Sequence, residues 1–511
     1  MKCDTVMKRQ INVLEYLDNI VEQKPDKIAF GDEVETYSFQ RVFRESQSVG
    51  TALAKAGVYK EPVVVYMQKR SRAIVAFYGV VAAGCYYVPL DDELPDYRVE
   101  LIFSQLTSRV VICDEVTAPM LEQMGYQGKV MLYDDICQTV PDTDALADIR
   151  SHAIDTDPIY IVFTSGSTGI PKGVVACHRS VIDYIENLSE VLRIDENTVF
   201  GNQAPLYVDA CLKELYPTLK FGATTWLIPR EMFLQPIKMI EYLNEKQINT
   251  ICWVVPALTY ISGLGTLGKH KPEYLRTIAF GSEVFPAKQF RIWQQTLPET
   301  RFINLYGPTE ATGMSCYYEV DHELQEDEVI PIGRPFDNTE IMLLTDDGRL
   351  ADAGEHGEIC IRGTAVTLGY YKQPEKTAEC FTQNPLNNLY PELIYRTGDI
   401  GYRNEAGELM FVSRKDYQIK HMGHRIELGE IEMVMNRMEG IYSACAVFDK
   451  EKKKIVLFYT GKQEKAEAVK YLRSKLPRYM LPHVVIPLEA MPLTANGKIN
   501  RLELMRIYSE K

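Results

Sequence analysis

Short β-branched runs alternate with longer helix-like stretches along most of this sequence, and this alternation limits the possible folds more than any other feature. Pro62–Met67, Val110–Cys113, Ile159–Phe163 and Thr277–Phe280 are four such runs. Strands that alternate with helices usually form parallel sheets with helices on both faces. Because 511 residues are too many for one core, the sequence predicts an α/β protein of about three or four domain-sized units.

The pattern changes after about residue 330, where strands and turns follow one another more closely. EIMLLTDDGRL, GEICIRG and GELMFVSRKD are the segments that show this change. Residues 1–414 are therefore predicted to form a large unit with a β-rich subdomain at about 330–412, and residues 417–511 a small α+β unit. The polar stretch Arg414-Lys415-Asp416 is the predicted joint.

The composition is that of a globular protein, with 46% apolar and 25% charged residues. A formal charge of −14 argues against a general affinity for nucleic acid or anionic membranes. The eleven cysteines are dispersed without a C-x-x-C pair, which is typical of reduced thiols in a cytoplasmic protein. The N-terminus lacks the apolar stretch of a signal peptide, so we expect a cytoplasmic location.

One uncharged segment, Ala73–Leu90, is about long enough to cross a bilayer. Gly84 and Pro89 interrupt it, and a tyrosine pair lies inside it. A buried helix that leads into a buried strand fits these residues better than a membrane span.

The most informative segment is Tyr160–Val175, YIVFTSGSTGIPKGVV. An apolar strand leads into a loop of small hydroxylated residues and glycines, followed by a lysine: Thr164, Ser165, Gly166, Ser167, Thr168, Gly169 and Lys172. In such a loop, N–H groups and hydroxyls can approach phosphate oxygens while the lysine adds positive charge. The spacing differs from that of a Walker A loop, and a mobile Ser/Gly linker is the alternative interpretation.

This loop resembles the phosphate-loop signature of the adenylate-forming superfamily, which includes acyl-CoA synthetases, luciferases and peptide-synthetase adenylation domains. The resemblance continues in order through AAGCYYVPLDDELPDYR (82–98), NLYGPTEAT (304–312), YRTGD (395–399), SRKDYQIKHMGHRIELGEIE (413–432), LPRYMLP (476–482) and PLTANGKINR (492–501). It implies a large adenylation core and a small C-terminal domain that moves about a hinge at Asp416.

The reaction that this resemblance implies is attack of a carboxylate on the α-phosphate of ATP, with Mg²⁺ as the cofactor. Two anions must meet, so cations and dipoles have to stabilise the developing charge. Lys498 matches the family's catalytic lysine, although a lone lysine near the end of a chain is ordinarily a solvated charge. Glu310 matches the Mg²⁺ ligand, and Thr309 would touch the α-phosphate.

Three further residues match positions that hold the nucleoside. Tyr306 would lie against the adenine ring, Asp399 would accept hydrogen bonds from both ribose hydroxyls, and Arg414 would support the ribose and phosphates. A structural tyrosine and a surface ion pair are the alternative interpretations of Tyr306 and Asp399.

The second half of the family's chemistry passes the acyl group to a thiol. Gly423 matches the glycine beside the pantetheine tunnel, where a side chain would obstruct the thiol arm. The sequence shows no carrier-like segment of its own. The resemblance therefore implies a separate carrier protein with a phosphopantetheine arm as the partner.

The segment Gln203–Pro217 resembles the substrate-defining helix of members that activate amino acids. Asp209 matches the aspartate that pairs with the α-ammonium group of the substrate, and a helix cap is the alternative. The remaining pocket positions implied by the resemblance are Ala210, Lys213, Val254 (or Trp253), Ile278, Phe280, Leu305, Gly313 and Met314.

Two of these positions favour different substrates. Phe280 would shorten the pocket and favour a small side chain, whereas Lys213 would suit an acidic or polar one. Lys213 also follows Asp209 by four residues, so an ordinary helical ion pair between them is a second interpretation. The sequence leaves this choice open.

Two kinds of member fit best: a stand-alone peptide-synthetase adenylation enzyme and a D-alanine–carrier protein ligase. NQAP (202–205), Phe280 and SEVFP (282–286) favour the ligase, whereas Gly281 and Lys213 depart from its pattern. Val208 replaces the aromatic residue expected before Asp209 in both. An acyl- or aryl-CoA synthetase and a non-catalytic binding protein are the remaining hypotheses, and Asp209 argues against the former.

Overall fold

Two sheets covered by helices form most of the N-terminal part of the protein. The structure is a computed structural model that describes residues 10–165, 170–326, 328–415, 418–492 and 499–510. One sheet has nine strands and the other six, and smaller sheets follow them along the chain.

The helices and strands of this N-terminal part are the following. They are α1 (Glu15–Gln23), β1 (Ile28–Gly31), β2 (Thr36–Ser38), α2 (Phe39–Lys55), β3 (Pro62–Tyr66), α3 (Ser71–Ala82), β4 (Tyr86–Leu90), α4 (Asp96–Gln105), β5 (Val110–Cys113), α5 (Ala118–Gln123), β6 (Lys129–Leu132), α6 (Tyr133–Ile136), α7 (Thr143–Ser151), β7 (Pro158–Thr164), β8 (Lys172–Cys177), α8 (His178–Leu192), β9 (Val199–Asn202), α9 (Leu212–Phe221), β10 (Thr224–Leu227), α10 (Pro236–Glu245), β11 (Thr250–Val254), α11 (Val255–Gly263), β12 (Thr277–Gly281), α12 (Ala287–Thr296), β13 (Arg301–Tyr306), β14 (Cys316–Val320) and β15 (Arg334–Pro335).

The nine-stranded sheet runs β15-β14-β13-β12-β11-β9-β10-β1-β2, and the six-stranded sheet runs β6-β5-β3-β4-β7-β8. The inner strands of both sheets pair in parallel, while β2, β14, β15 and β8 are antiparallel additions at the edges. Crossover helices cover both faces of such sheets, so the strands are buried on both sides. The carboxyl ends of β11, β12 and β13 therefore meet at one edge, where polar side chains can gather.

The segment that the sequence suggested as a possible membrane span is a buried helix and strand. It forms α3 (Ser71–Ala82) and β4 (Tyr86–Leu90), as predicted from its glycine and proline. Gly84 has φ +69°, and its N–H donates to the carbonyl of Val81, which ends the helix. No helix within the described ranges is long and apolar enough to cross a membrane.

A smaller β-rich subdomain follows the two large sheets. It contains β16 (Thr339–Leu344), β17 (Gly357–Gly363), α13 (Pro374–Cys380), β18 (Phe381–Gln383), β19 (Leu393–Arg403) and β20 (Leu409–Arg414). These strands form an antiparallel sheet in the order β16-β17-β19-β18, with β20 on β19. Asp399 pairs with Arg414 across β19 and β20, so the register of this sheet places the two side chains together.

The C-terminal part begins with a hairpin and continues as a small α+β unit. It contains β21 (Gln418–His421), β22 (His424–Glu427), α14 (Leu428–Asn436), β23 (Ile441–Asp449), β24 (Lys454–Gly461), α15 (Lys465–Lys475), β25 (Val484–Pro487) and α16 (Arg501–Ser509). Met422 and Gly423 form the two-residue turn of the hairpin with φ of +52° and +79°. Positive φ at both positions is typical of a type I′ turn, which matches the twist of the flanking strands.

Candidate active site

A cavity of about 140 Å³ lies between the N-terminal part and the hairpin β21–β22. Its wall includes residues from the end of β7, from the loop after β13 and from the hairpin itself. A second cavity of about 40 Å³ adjoins it near the carboxyl ends of β11 and β12. Gln203, Ala204, Ala210, Val254, Ser282, Met314 and Gly423 line both cavities.

The predicted phosphate loop connects β7 and β8 beside the larger cavity. Thr164 and Ser165 line this cavity, whereas Gly166, Ser167, Thr168 and Gly169 lie outside the described residues. The Thr164 Oγ1 atom is buried and has no hydrogen-bond partner among the residues that the structure describes. A buried hydroxyl in this state is free to bond to a ligand oxygen.

Lys172 begins β8 opposite Thr164 and is only 5% exposed. Its Nζ atom lies 3.7 Å from Glu427 Oε1 on β22. Burial lowers the pKa of Lys172, and the Arg425 guanidinium lowers it further. In this arrangement of the chain, Lys172 thus lies close to a carboxylate of the C-terminal part.

Glu310 is the central carboxylate of the site. A short 3₁₀ turn, Thr309–Ala311, follows β13 and places its side chain where solvent does not reach it. The Tyr370 hydroxyl donates to Oε1 at 2.7 Å, and Arg425 Nη1 donates to Oε2 at 2.7 Å. Burial alone raises the pKa of Glu310, but Arg425, Lys172 and the tyrosine hydroxyl outweigh it and lower the pKa to about 2. The carboxylate is therefore ionised at neutral pH.

Arg425 was not predicted from the sequence, although it belongs to the segment 413–432. It extends from β22 of the hairpin to Glu310, 115 residues earlier in the chain. The Ser165 hydroxyl donates to the Arg425 carbonyl at 2.8 Å, which further fixes the hairpin against the phosphate loop. The sequence shows the positive charge of Arg425, but it does not indicate which carboxylate this arginine contacts.

The three residues predicted to hold the nucleoside lie together. The Tyr306 hydroxyl donates to Asp399 Oδ2 at 2.6 Å, and Arg414 Nη1 donates to Asp399 Oδ1 at 2.5 Å. Lys420 of β21 places its Nζ atom 5.2 Å from the centre of the Tyr306 ring. Asp399, Arg414 and Lys420 line the larger cavity, whereas Tyr306 is buried behind them.

Asp209 also lines the larger cavity and lies in a 3₁₀ turn, Asp209–Cys211, that precedes α9. Burial raises the pKa of its carboxyl, and the Lys213 charge and the Thr309 hydroxyl oppose this rise. Val208 also lines the cavity where an aromatic residue was expected, and the neighbouring Tyr207 contributes an aromatic wall. One cavity is thus lined both by Asp209, which is predicted to pair with the α-ammonium group of the substrate, and by Thr309, which is predicted to touch the α-phosphate.

The other predicted pocket residues fall into two groups. Phe280, Lys213 and Leu305 line the smaller cavity, Gly313 lines the larger one, and Ala210, Val254 and Met314 line both. Trp253, the alternative to Val254, also lines the smaller cavity, and its indole N–H donates to the Gly201 carbonyl. Ile278 lies in the hydrophobic core with Phe280 and lines neither of these cavities.

Gly423, at the tip of the hairpin, closes the junction of the two cavities. Its N–H donates to Glu283 Oε1 at 3.1 Å. A Cβ atom at this position would lie 2.4 Å from Val254 Cγ1, so a side chain would collide with the cavity wall. The predicted hinge Asp416 and the predicted catalytic Lys498 lie outside the described residues.

The residues present suit a nucleotide with Mg²⁺. No three Asp, Glu, His or Cys side chains among the described residues group closely enough to bind a metal alone. Mg²⁺ is commonly held by one or two carboxylates together with phosphate oxygens, so the ionised Glu310 is an adequate protein ligand. Thr164, whose hydroxyl has no partner among the described residues, and Asp399 line the cavity and would supply polar groups to the phosphates and the ribose.

Comparison with known sequences identifies the family. The profile described as "AMP-binding enzyme" matches residues 17–371, and the profile "AMP-binding enzyme C-terminal domain" matches residues 430–498. The chain belongs to the AMP-binding enzyme family. The resemblance to the adenylate-forming superfamily is thereby confirmed, and AMP-binding enzymes of this kind use ATP with Mg²⁺.

Two curated relatives are similar to this AMP-binding enzyme over nearly its whole length. D-alanine–D-alanyl carrier protein ligase of Bacillus licheniformis is 31% identical over 518 residues, which cover 97% of this chain and 99% of that protein. Tyrocidine synthase 1 of Brevibacillus parabrevis is 30% identical over 489 residues, which cover 94% of this chain. The chain spans only 44% of the length of tyrocidine synthase 1.

A solved structure supports the fold of the AMP-binding enzyme. It is a nonribosomal peptide synthetase protein with adenylation and carrier (PCP) domains, and it superposes with a TM-score of 0.80. The match covers 97% of this chain and 84% of that chain at 22% identity. The predicted α/β architecture with a β-rich subdomain and a small C-terminal domain is confirmed.

The low pKa of Glu310 predicts a pH-dependent contribution to stability. The folded pKa of about 2 lies below the ordinary value of 4.5, so the stabilisation is complete above pH 4.5 and is lost as the pH falls toward 2. By pH 3, about 2 kcal/mol of the advantage of the wild type over Glu310→Gln should have disappeared. Urea denaturation at pH 6 and pH 3 measures this difference.

Glu22→Gln, at an exposed position of α1, is the matched control. Its stability relative to the wild type should change little between the two pH values. An equal effect of pH on the wild type and on Glu310→Gln would show that Glu310 is not held ionised by its cationic neighbours.

Proposed function

We propose that this enzyme uses ATP to activate an amino acid as its aminoacyl-adenylate, with release of pyrophosphate. In a second step it would transfer the aminoacyl group to the phosphopantetheine thiol of a separate carrier protein. The main support is that Asp209 and Thr309 line one cavity, with the ionised Glu310 directly after Thr309 in the same turn.

Asp209 supports an amino acid as the substrate. Asp209 is buried at the wall of the larger cavity, where an α-ammonium group would find the opposite charge that it needs on leaving water. Removing one partner of a buried charge pair typically costs about 2–5 kcal/mol. A fatty or aromatic acid has no group to pair with Asp209, so a CoA synthetase that acts on such acids is the weaker candidate.

The residues around the larger cavity can bring two anions together. Mg²⁺ bound with ATP supplies charge neutralisation on the phosphates. Glu310 offers one ionised carboxylate to this ion, Thr309 and Thr164 offer hydroxyls to phosphate oxygens, and Asp399 accepts hydrogen bonds. Lys498, which lies outside the described residues, is proposed to bridge the substrate carboxylate and the α-phosphate during attack.

The hairpin β21–β22 supports the thiol-transfer step. The tip of the hairpin lines both cavities. With the hairpin in this place, the larger cavity has a volume of about 140 Å³, which is less than the roughly 300–1,000 Å³ of typical ligand sites. Arg425 donates to Glu310 Oε2, one of the two oxygens with which Glu310 would hold a metal ion. We infer that this arrangement is the one that follows adenylation, and that the C-terminal unit rotates about Asp416 between the two steps.

The curated ligase that matches from end to end makes D-alanine a specific second candidate for the substrate. Phe280 lines the smaller cavity, whose volume of about 40 Å³ agrees with a small side chain. Lys213 in the same wall argues against a methyl side chain, because a methyl group offers it no acceptor.

The first test is amino-acid-dependent exchange of pyrophosphate into ATP, with a panel of L- and D-amino acids that includes D-alanine. The wild type should show exchange with at least one of them. Asp209→Asn should lower kcat/KM by about thirtyfold or more, because it removes the charge that pairs with the α-ammonium group. Lys498→Ala should abolish exchange.

Asp144→Asn, at an exposed position of α7, is the control and should leave exchange unchanged. Absence of exchange with every amino acid would refute the proposal. Thioester formation from a fatty or aromatic acid and free CoA would then identify a CoA synthetase.

The second test concerns the hairpin turn. Gly423→Ala should reduce thioester formation with free pantetheine by about tenfold or more, because the added methyl group collides with Val254 only while the hairpin lies in the cavity. Pyrophosphate exchange should change by less than about threefold, since the collision adds no barrier once the hairpin has moved away.

Gly407→Ala separates the collision from backbone strain. Gly407 has φ +78°, close to the +79° of Gly423, but a Cβ atom there would meet no atom within 4 Å. This variant should retain both activities. If Gly423→Ala forms the thioester at the wild-type rate, the hairpin does not take part in the transfer step.

A further inference from the structure

Lys213 is a buried ammonium group in the wall of the smaller cavity. It lies in the first turn of α9 and is only 6% exposed. It lines the cavity together with Phe280, Trp253 and Leu305. A lysine that loses its water in this way needs an acceptor, because an unpaired buried charge is strongly unfavourable.

None of the residues that the structure describes supplies Lys213 with such an acceptor. Among the described residues, its Nζ atom makes no hydrogen bond and lies within 4.0 Å of no carboxylate oxygen. The ion pair with Asp209 that the spacing suggested does not form. Asp209 belongs to the 3₁₀ turn before α9, so the two residues do not have the i, i+4 geometry of one α-helix.

The Lys213 charge acts on two carboxyl groups, Asp209 and Glu214, and both have other roles. Asp209 faces the larger cavity, where the proposed function assigns it to the α-ammonium group of the substrate. Glu214 accepts a hydrogen bond from Asn202 at 3.3 Å, and burial raises its pKa to about 7 although Lys213 lowers it. Burial therefore weakens the ability of Glu214 to balance the Lys213 charge.

The cavity itself defines the size of the missing acceptor. Its volume of about 40 Å³ is a few times the roughly 10–15 Å³ that one water molecule requires. A carboxylate with one or two methylene groups is small enough for a space of this volume, and Phe280 and Trp253 form part of its wall. An ammonium group has three donors and no acceptor, so the group that it meets must accept hydrogen bonds.

We propose that the enzyme selects an acidic amino acid with a short side chain, aspartate or glutamate, whose side-chain carboxylate pairs with Lys213. This inference rests on the proposed function and names the substrate class of the same site. Asp209 then binds the α-ammonium group of the substrate, and Lys213 binds its side-chain carboxylate. Lys213 is a specificity-determining residue in this account and takes no part in bond formation.

The test compares acids with their uncharged isosteres, which have almost the same shape. Pyrophosphate exchange is measured with both enantiomers of aspartate, asparagine, glutamate and glutamine. The wild type should favour one acid over its amide by about thirtyfold or more in kcat/KM, which is the range for removing one partner of a buried charge pair. In Lys213→Met this preference should fall below about threefold, because methionine keeps an unbranched side chain without the charge.

Lys220→Met, at the other end of α9, is the matched control and should keep the preference of the wild type. Circular dichroism and AMP binding establish that each variant folds. If Lys213→Met fails to fold, Lys213→Gln is measured in the same way. The ratio of kcat/KM for an acid to that for its amide in the wild type still tests whether the substrate is an acidic amino acid.

Three results would overturn the inference. One is a wild type that favours neutral amino acids, which would leave the proposed function intact. Another is a preference for acids that survives in the Lys213 variants. The third is an equal loss of exchange for acids and amides in those variants, which would assign Lys213 to balancing Glu214. No exchange with any amino acid would instead refute the proposed function together with this inference.

Discussion

The contact between Glu310 and Arg425 is the interaction on which the arrangement of this site depends. It joins the turn after β13 of the large unit to the hairpin of the small one. Glu310 is inaccessible to solvent, so its charge must be compensated by a cation. Breaking a buried pair by removing one partner typically costs about 3–5 kcal/mol. Whatever cation neutralises Glu310 therefore has a strong influence on where the small unit lies.

This constraint connects the electrostatics of the site with its chemistry. Arg425, Lys172 and the Tyr370 hydroxyl keep Glu310 ionised in surroundings that would otherwise favour its protonated form. In the proposed reaction cycle, the same carboxylate would become available to a metal ion when the hairpin leaves the cavity. In the account proposed here, the two steps of the reaction use one carboxylate with two different cations, and domain rotation exchanges them.

Much of the fold could be predicted because local patterns determine it. The run Val110–Cys113 is β5 with the same limits, and Ala73–Leu90 contains a helix and a strand separated at Gly84. The β-rich subdomain was expected at about 330–412, and its strands occupy residues 339–414. In each case, periodicity, glycines and β-branched residues act over a few neighbouring positions, so the sequence alone carries the information.

The site was harder to predict where contacts join distant parts of the chain. The partnership of Arg425 with Glu310 spans 115 residues and depends on how two units pack. Lys213 and Asp209 have helical spacing in the sequence, but the helix begins at Leu212, after Asp209. Ile278 and Phe280 are two residues apart on β12, yet only Phe280 reaches the cavity. Spacing along the chain does not determine any of these outcomes.

The most direct test of this account is the effect of Mg²⁺ on ATP binding to the wild type and to Glu310→Gln, measured by isothermal titration calorimetry. If Glu310 is the protein ligand of the ion, Mg²⁺ should tighten ATP binding to the wild type, and this effect should be largely lost in the variant. An equal response to Mg²⁺ in both proteins would contradict the account, because Glu310 would then serve only as the partner of Arg425.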